Sequence, residues 1–422
     1  MSSILIHNIG SIATPQAHSA KRLAGKQMHE IHTQSNVAIV AENGVITRIG
    51  DSKAVFNEVR RDKHFADVNE LIILNAQGMT ALPGFVDSHT HTVFGGNRAN
   101  EFALRAEGKT YEEIAALGGG IISTMNATRA ASYEELYAIA KKRLDAMLKQ
   151  GTTTVEIKSG YGLNTASELK LLDVIAELAH THPMTIVPTF LGAHAFPPEF
   201  RECREKYINI ICEEMLPEVK ARNLAVFCDI FCEKNYFSLE DSERILTTAQ
   251  NLGFHIKLHA DQLSASGASE LGIRMNAISV DHLEMTTAEG VSSIAASETI
   301  ATALPGASFF LHHSYPPVRT LIDAGATVAL ATDFNPGSSM TYSMQMMMTL
   351  ASTQMRMTPE EALTASTLNG AAALMLSHER GSLEVGKKAD ILLCDVKNFT
   401  EVPYHFGENH VKKVIKNGKV VV

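Results

Sequence analysis

Between residues 84 and 333, short apolar runs rich in β-branched residues alternate with segments of helical periodicity. The runs occupy 84–91, 152–158, 184–194, 224–233, 255–261, 277–284, 299–304 and 327–333. Their apolar positions are continuous rather than alternating, the pattern of a strand buried on both faces. Strand and helix in regular succession predict a parallel sheet, and eight such units predict closure into a (β/α)8 barrel of TIM type. The intervening helices carry start signals of capping-box type at Ser132/Glu135, Ser238/Asp241, Thr286/Glu289 and Thr358/Glu361. The last of these has Pro359 at the first helical position, where its missing N–H costs nothing.

The two ends differ from the middle. Short alternating runs at 36–41 and 44–49 flank Asn43-Gly44, a hairpin signal, and the C-terminus repeats the device around Asn417-Gly418. We read residues 1–78 plus 380–422 as one composite β domain, a small β-sandwich built from both termini, and 79–379 as the barrel. A separate domain at each end is the alternative, and it would leave each with very few strands.

Composition changes this picture little. The 422 residues are 45% hydrophobic and 20% charged, ordinary for a soluble globular chain. The formal charge of -9 gives no electrostatic footing for nucleic acid or an anionic membrane. There is no apolar stretch of membrane-spanning length and no basic region followed by a long apolar segment at the start. Five irregularly spaced cysteines fit a reduced, cytoplasmic thiol set, with Cys228 and Cys232 expected in the core. The Met344–Met348 segment is likewise expected to fill core space.

Candidate chemistry lies at the C-terminal ends of the runs, where a barrel converges its side chains on one mouth. His89 and His91 end the first run, at i and i+2 on one strand face, their Cα atoms about 7 Å apart. His259 ends the fifth run, Asp281-His282 the sixth and Asp333 the eighth. Buried strands that end in His or Asp carry a cost unless those groups are paired or bound to metal. Three imidazoles and a carboxylate are the ligand chemistry of catalytic zinc and also accommodate iron. Such an ion brings the pKa of its water to about 7, and Asp333 could both bind the ion and take the proton. Hydrolysis of a C–N bond at a polarised carbonyl or amidine follows. Strand four ends in Glu233-Lys234, and Lys158 belongs to strand two, so no bridging lysine is expected and one metal is favoured over two.

With His89-x-His91, His259, His282 and Asp333 in this order, the chain resembles the amidohydrolase superfamily. The segments 82–91 and 381–390 look like the superfamily's entry to and exit from the barrel. The stretches 94–102, 118–121, 156–163, 190–198 and 332–338 are similar to the imidazolonepropionase family. The resemblance covers essentially the whole chain. It implies hydrolytic opening of the ring of 4-imidazolone-5-propanoate to N-formimidoyl-L-glutamate in histidine degradation. It further implies one divalent or trivalent metal ion per subunit, zinc or iron, on His89, His91, His259 and Asp333.

Arg98, Tyr161 and His194 would hold a small-molecule substrate, with Gln262, Asn335, Gly337 and Ser338 completing the pocket. A propionate tail suits the planar fork of Arg98, with the Tyr161 hydroxyl as second donor. His194 and His282 would polarise the ring carbonyl or steady the oxyanion, beside Asp333 as the proton carrier. Deaminases of the superfamily carry H-x-x-E on strand five. Here the residue is Gln262, which cannot titrate and which argues against deamination. A catalytically dead scaffold would be expected to have lost ligands, and this chain keeps all four. Related enzymes imply a homodimer. His312 and His313 receive no role and are expected in a solvated loop.

Overall fold

The computed structural model describes residues 2–16, 21–66, 70–109, 113 and 119–422. Five strands open the chain: β1 (Ser2–Pro15), β2 (Ile31–Glu42), β3 (Val45–Asp51), β4 (Glu70–Asn75) and β5 (Thr80–Pro83). Eight follow in the middle: β6 (Phe85–Asp87), β7 (Thr152–Lys158), β8 (Thr185–Ala193), β9 (Phe227–Cys232), β10 (His255–Ala260), β11 (Ser279–His282), β12 (Ile300–Ala303) and β13 (Val328–Leu330). Three close it: β14 (Ile391–Cys394), β15 (Val411–Lys416) and β16 (Lys419–Val420).

The eight middle strands pair in chain order, all parallel, as the alternation predicts. Every residue of β7 and β9 is buried, because one face meets the barrel interior and the other the surrounding helices. The barrel is fastened between first and last strands beyond their formal ends. Thr90 bridges Phe334, His91 N–H donates to Phe334 O at 2.9 Å, and Asp333 N–H donates to His89 O at 3.1 Å. Below them Asp87 accepts from Thr332 N–H at 3.0 Å and from its hydroxyl at 2.6 Å. His89 and His91 therefore lie not on a regular strand but on the extended segment just past β6, where strand pairing has given way to this seam.

The terminal strands form one mixed sheet, ordered β16-β15-β14-β5-β1-β2-β3 with β4 also on β1. Its inner face gathers Ile4, Ile6, Ile39, Ile46, Leu393 and Ile415 into a core separate from the barrel's. Asn43 and Gly44 turn β2 into β3 with φ of 50° and 81°, the doubly left-handed turn that Asn-Gly supplies. The capping boxes at Ser132, Ser238 and Thr358 are formed. At the fourth site the cap is Thr287, bonded to Gly290 N–H, while the Thr286 hydroxyl turns to Asp261. The five cysteines are free, and Cys228, Cys232, Met344, Met347 and Met348 lie in the barrel core. Among the described residues no helix is long and apolar enough to cross a membrane.

Candidate metal centre and its cavity

His259 is the penultimate residue of β10 and His282 the last of β11, while Asp333 follows β13 by three residues. His282 and Asp333 take φ of 87° and 52°. Such values are uncommon outside glycine, and Asp and His are among the residues that adopt them most readily. His91 Nε2 stands 3.4 Å from His259 Nε2 and 3.5 Å from Asp333 Oδ1, and His89 Nε2 stands 3.5 Å from the same oxygen. Ligands at 2.0–2.1 Å from a tetrahedral ion are spaced about 3.4 Å apart. The buried His89 Nε2 has no hydrogen-bond partner, so the donors fit an ion at their centre. His282 shares this neighbourhood, its ring nitrogen within 4.8 Å of donors on His89 and Asp333.

Carboxylates set the tautomers from behind. His89 Nδ1 lies 2.7 Å from Asp281 Oδ2 and His259 Nδ1 lies 3.0 Å from Asp229 Oδ2. The His89 Nδ1–H donates outward to Asp281 and leaves its Nε2 lone pair facing inward, and the Asp229 carboxylate stands behind His259 in the same position. Both carboxylates belong to a wholly buried layer. Lys158 Nζ is 2.7 Å from Glu156, 2.7 Å from Asp229 and 4.0 Å from Asp281. Lys257 Nζ reaches Glu156 at 3.1 Å, Asp281 at 3.8 Å and the Ser88 carbonyl at 2.9 Å. Burial by itself would raise the Asp281 carboxyl. Lys257, His89 and Lys158 overcome it and hold that carboxyl well below the usual range. Two ammonium groups against three carboxylates leave one negative charge under the histidines, which favours a cation above.

Glu156, Lys158, Asp229 and Lys257 join the site beyond the residues that the sequence pattern points to. Their signal was present as charged residues inside runs otherwise fit for a double-sided burial.

A cavity of 1610 Å³ opens above, lined among others by His91, His194, His259, His282 and Asp333. Arg98, Tyr161, Gln262, Asn335, Gly337 and Ser338 also line it, so the expected substrate residues all reach one space. Burial, with Asp333 nearby, pushes the Tyr161 phenol well up and keeps it a donor. Ser338 Oγ donates to Asp333 Oδ2 at 2.7 Å, and Asn335 Nδ2 donates to Asp333 O at 2.8 Å. These two residues therefore also position Asp333.

His194 departs from the expected role. Its Nδ1 faces Gly160 O at 2.9 Å, and a carbonyl only accepts, so Nδ1 carries the proton. Burial and then His91 hold the ring down at about 3, hence neutral. Nε2 is then a lone pair, which can accept an N–H but cannot donate to an oxyanion. The close approach explains Gly160, whose φ is +106° and where a Cβ would meet His194 Nδ1 at 3.0 Å.

Buried carboxylates hold the loops that carry these groups. Glu168 accepts from Gly160, Gly162 and Leu163 N–H at 2.9, 2.7 and 2.8 Å, fixing the backbone on both sides of Tyr161. Glu233 is buried and takes Leu263 N–H at 2.8 Å, Ser264 N–H at 3.2 Å and the Ser264 hydroxyl, fixing the turn after Gln262. His312 and His313 are exposed, as a solvated segment requires, yet they line the rim of the cavity. Of the glycine stretch 118–121, Gly118 lies outside the described residues.

Residues 80–421 match the amidohydrolase family. Over 423 aligned residues the chain is 45% identical to the imidazolonepropionase of Alkaliphilus metalliredigens, covering 100% of this chain and 98% of that one. The imidazolonepropionase of Caldanaerobacter subterraneus is 46% identical over 413 residues, covering 98% and 96%. The chain belongs to the imidazolonepropionase family of amidohydrolases. Solved structures share the fold at low identity. E. coli guanine deaminase superposes with a TM-score of 0.74 at 12% identity, covering 100% of this chain and 99% of that one. A zinc-bound adenosine deaminase from Xanthomonas campestris gives 0.70 at 17%, covering 99% and 92%. Amidohydrolases are metal-dependent, and in this imidazolonepropionase-family chain the converging histidines are where a metal could be held.

Proposed function

We propose that this cavity hydrolyses the ring amide of 4-imidazolone-5-propanoate to N-formimidoyl-L-glutamate, with one zinc or iron ion on His89, His91, His259 and Asp333. The observation that carries the reading is the convergence of those donors, with His91–His259, His91–Asp333 and His89–Asp333 at 3.4–3.5 Å, beneath a cavity walled by Arg98, Tyr161 and His194. Identity to imidazolonepropionases over the full chain supports the choice of substrate.

When bound, the ion supplies Lewis acidity, making water acidic near neutral pH and drawing electron density from a carbonyl. The chain's own groups do the rest. The Arg98 guanidinium and the Tyr161 hydroxyl hold the propionate, which orients the ring. His194 Nε2 accepts a ring N–H and so selects the face presented. Asp333, steadied at Oδ2 by Ser338, takes a proton from the attacking water and returns it to the ring nitrogen as the C–N bond breaks. Oxygen adds to the carbonyl carbon, hydrogen to the departing nitrogen, and no ammonia is released. With Nδ1 facing the Glu284 carboxylate at 3.4 Å, His282 turns a lone pair to the site rather than the oxyanion donor expected of it, and stands beside Asp333 as a second proton acceptor.

The test is mass spectrometry of the products formed from 4-imidazolone-5-propanoate, with and without prior chelation. A chelator-sensitive product heavier by one water, with no ammonia, is expected. Ammonia release, or no product from protein that still holds its metal, would reject the substrate assignment.

A further inference from the structure

The helix Ala99–Ala106 and its N-cap carry two cavity-lining arginines, of which one has a carboxylate. Arg98 Nε donates to Glu101 Oε2 at 2.7 Å, and Glu101 Oε1 takes Gly120 N–H at 3.0 Å. That carboxylate is fully engaged. Arg105 lies seven residues on, two turns along the same helix face. Among the described residues no carboxylate comes within ion-pair distance of it. Its guanidinium makes one long hydrogen bond there, Nη1–H to Gly337 O at 3.5 Å. It rests over the Phe310 ring at 4.8 Å, which in turn stacks on Phe102 at 5.3 Å.

Gly337 joins the two cations. A Cβ there would stand 2.5 Å from Arg98 Nη1, while its carbonyl faces Arg105. Two guanidiniums thus flank one glycine on the cavity wall. Burial first, and then the charge of Arg98, lower the proton affinity of Arg105, against the opposing pull of Glu101. Two arginines and one glutamate leave a single positive charge, which one tail carboxylate would match. The packing on Phe310 preorganises the guanidinium without using its remaining N–H groups.

We propose that Arg105 is a second arm of the carboxylate site, binding the propionate together with Arg98 and setting the preference for an anionic tail. The proposal rests on the ring-opening reading above. It is tested by steady-state kinetics of the metal-loaded wild type, Arg105→Ala and Arg105→Met, each on 4-imidazolone-5-propanoate and on its tail primary amide. Loss of a charge-assisted contact should raise KM for the carboxylate about tenfold to a hundredfold, with kcat within about threefold. The preference for carboxylate over amide should fall by a similar factor. Arg105→Met keeps a stem on Phe310 and should show the same loss.

Equal losses on both substrates would reduce Arg105 to a packing residue and overturn the proposal. So would a KM and a preference within about twofold of wild type. If the wild type does not open the ring at all, the substrate reading has failed, and the proposal falls with it.

Discussion

His89 presents a lone pair to the site because Asp281 takes the proton on its other nitrogen at 2.7 Å. Replacing that carboxylate by an amide of the same shape, Asp281→Asn, removes the charge that fixes the tautomer. Metal affinity is expected to fall about tenfold to a hundredfold with circular dichroism unchanged, read by chelator competition. An affinity equal to wild type would detach the buried layer from the ion. Asp333→Asn addresses the proton path instead: kcat should drop about 10² to 10⁴-fold, beyond any loss of bound metal measured in parallel. Residual turnover proportional to metal content alone would remove Asp333 from proton transfer. That these His and Asp residues converge was legible in the sequence, because burying a His or Asp at the end of an apolar strand is costly unless a partner or an ion receives it. Lys158 and Asp229 were less so, since each is compensated by the other, across strands 71 residues apart. The oxyanion role expected of His194 was out of reach for a similar reason. The Gly160 carbonyl that fixes its tautomer is brought to it by the fold.

Among the elements, strands and helices followed the hydrophobic pattern closely, while the loops that present substrate groups did not show in it. The loop after β7 has no regular pairing, and its rigidity comes from one side chain in the first turn of the helix Thr165–Thr181, Glu168. Glu168→Ala leaves three buried N–H groups without an acceptor, at a cost of about 1–3 kcal/mol each before water or rearrangement relieves it. Because Tyr161 and Gly160 ride on that loop, KM should rise along with the loss of stability, whereas a purely structural anchor would move the melting temperature alone. Kinetics and a denaturation curve on the same preparation distinguish the two. The cap at Thr287 rather than Thr286 has a comparable origin. Asp261 captures the Thr286 hydroxyl, a competition between partners that no helix-start pattern contains.

At the scale of the whole molecule, eight alternating units and two β-rich ends were enough to foresee the barrel and a β domain shared by the termini, expected as a sandwich of 1–78 and 380–422 and found as one mixed sheet that also takes in Thr80–Pro83. What the pattern could not show is that the barrel is fastened by the same backbone that carries His89, His91 and Asp333. An ion joining these three side chains would then brace the first strand against the last. Chelation is expected to lower the thermal transition by a few degrees or more, and excess zinc or iron to restore it, followed by differential scanning fluorimetry. An unmoved transition would mean that ion and seam are independent. The seam also constrains assembly. A barrel joined one residue out of step could still bury most of its leucines and valines. It would nevertheless turn His89 and His91 to the wrong side of the wall. Metal uptake on these three side chains would thus work as a gauge of register, recording in each molecule whether the two distant ends of the barrel met at the right residue.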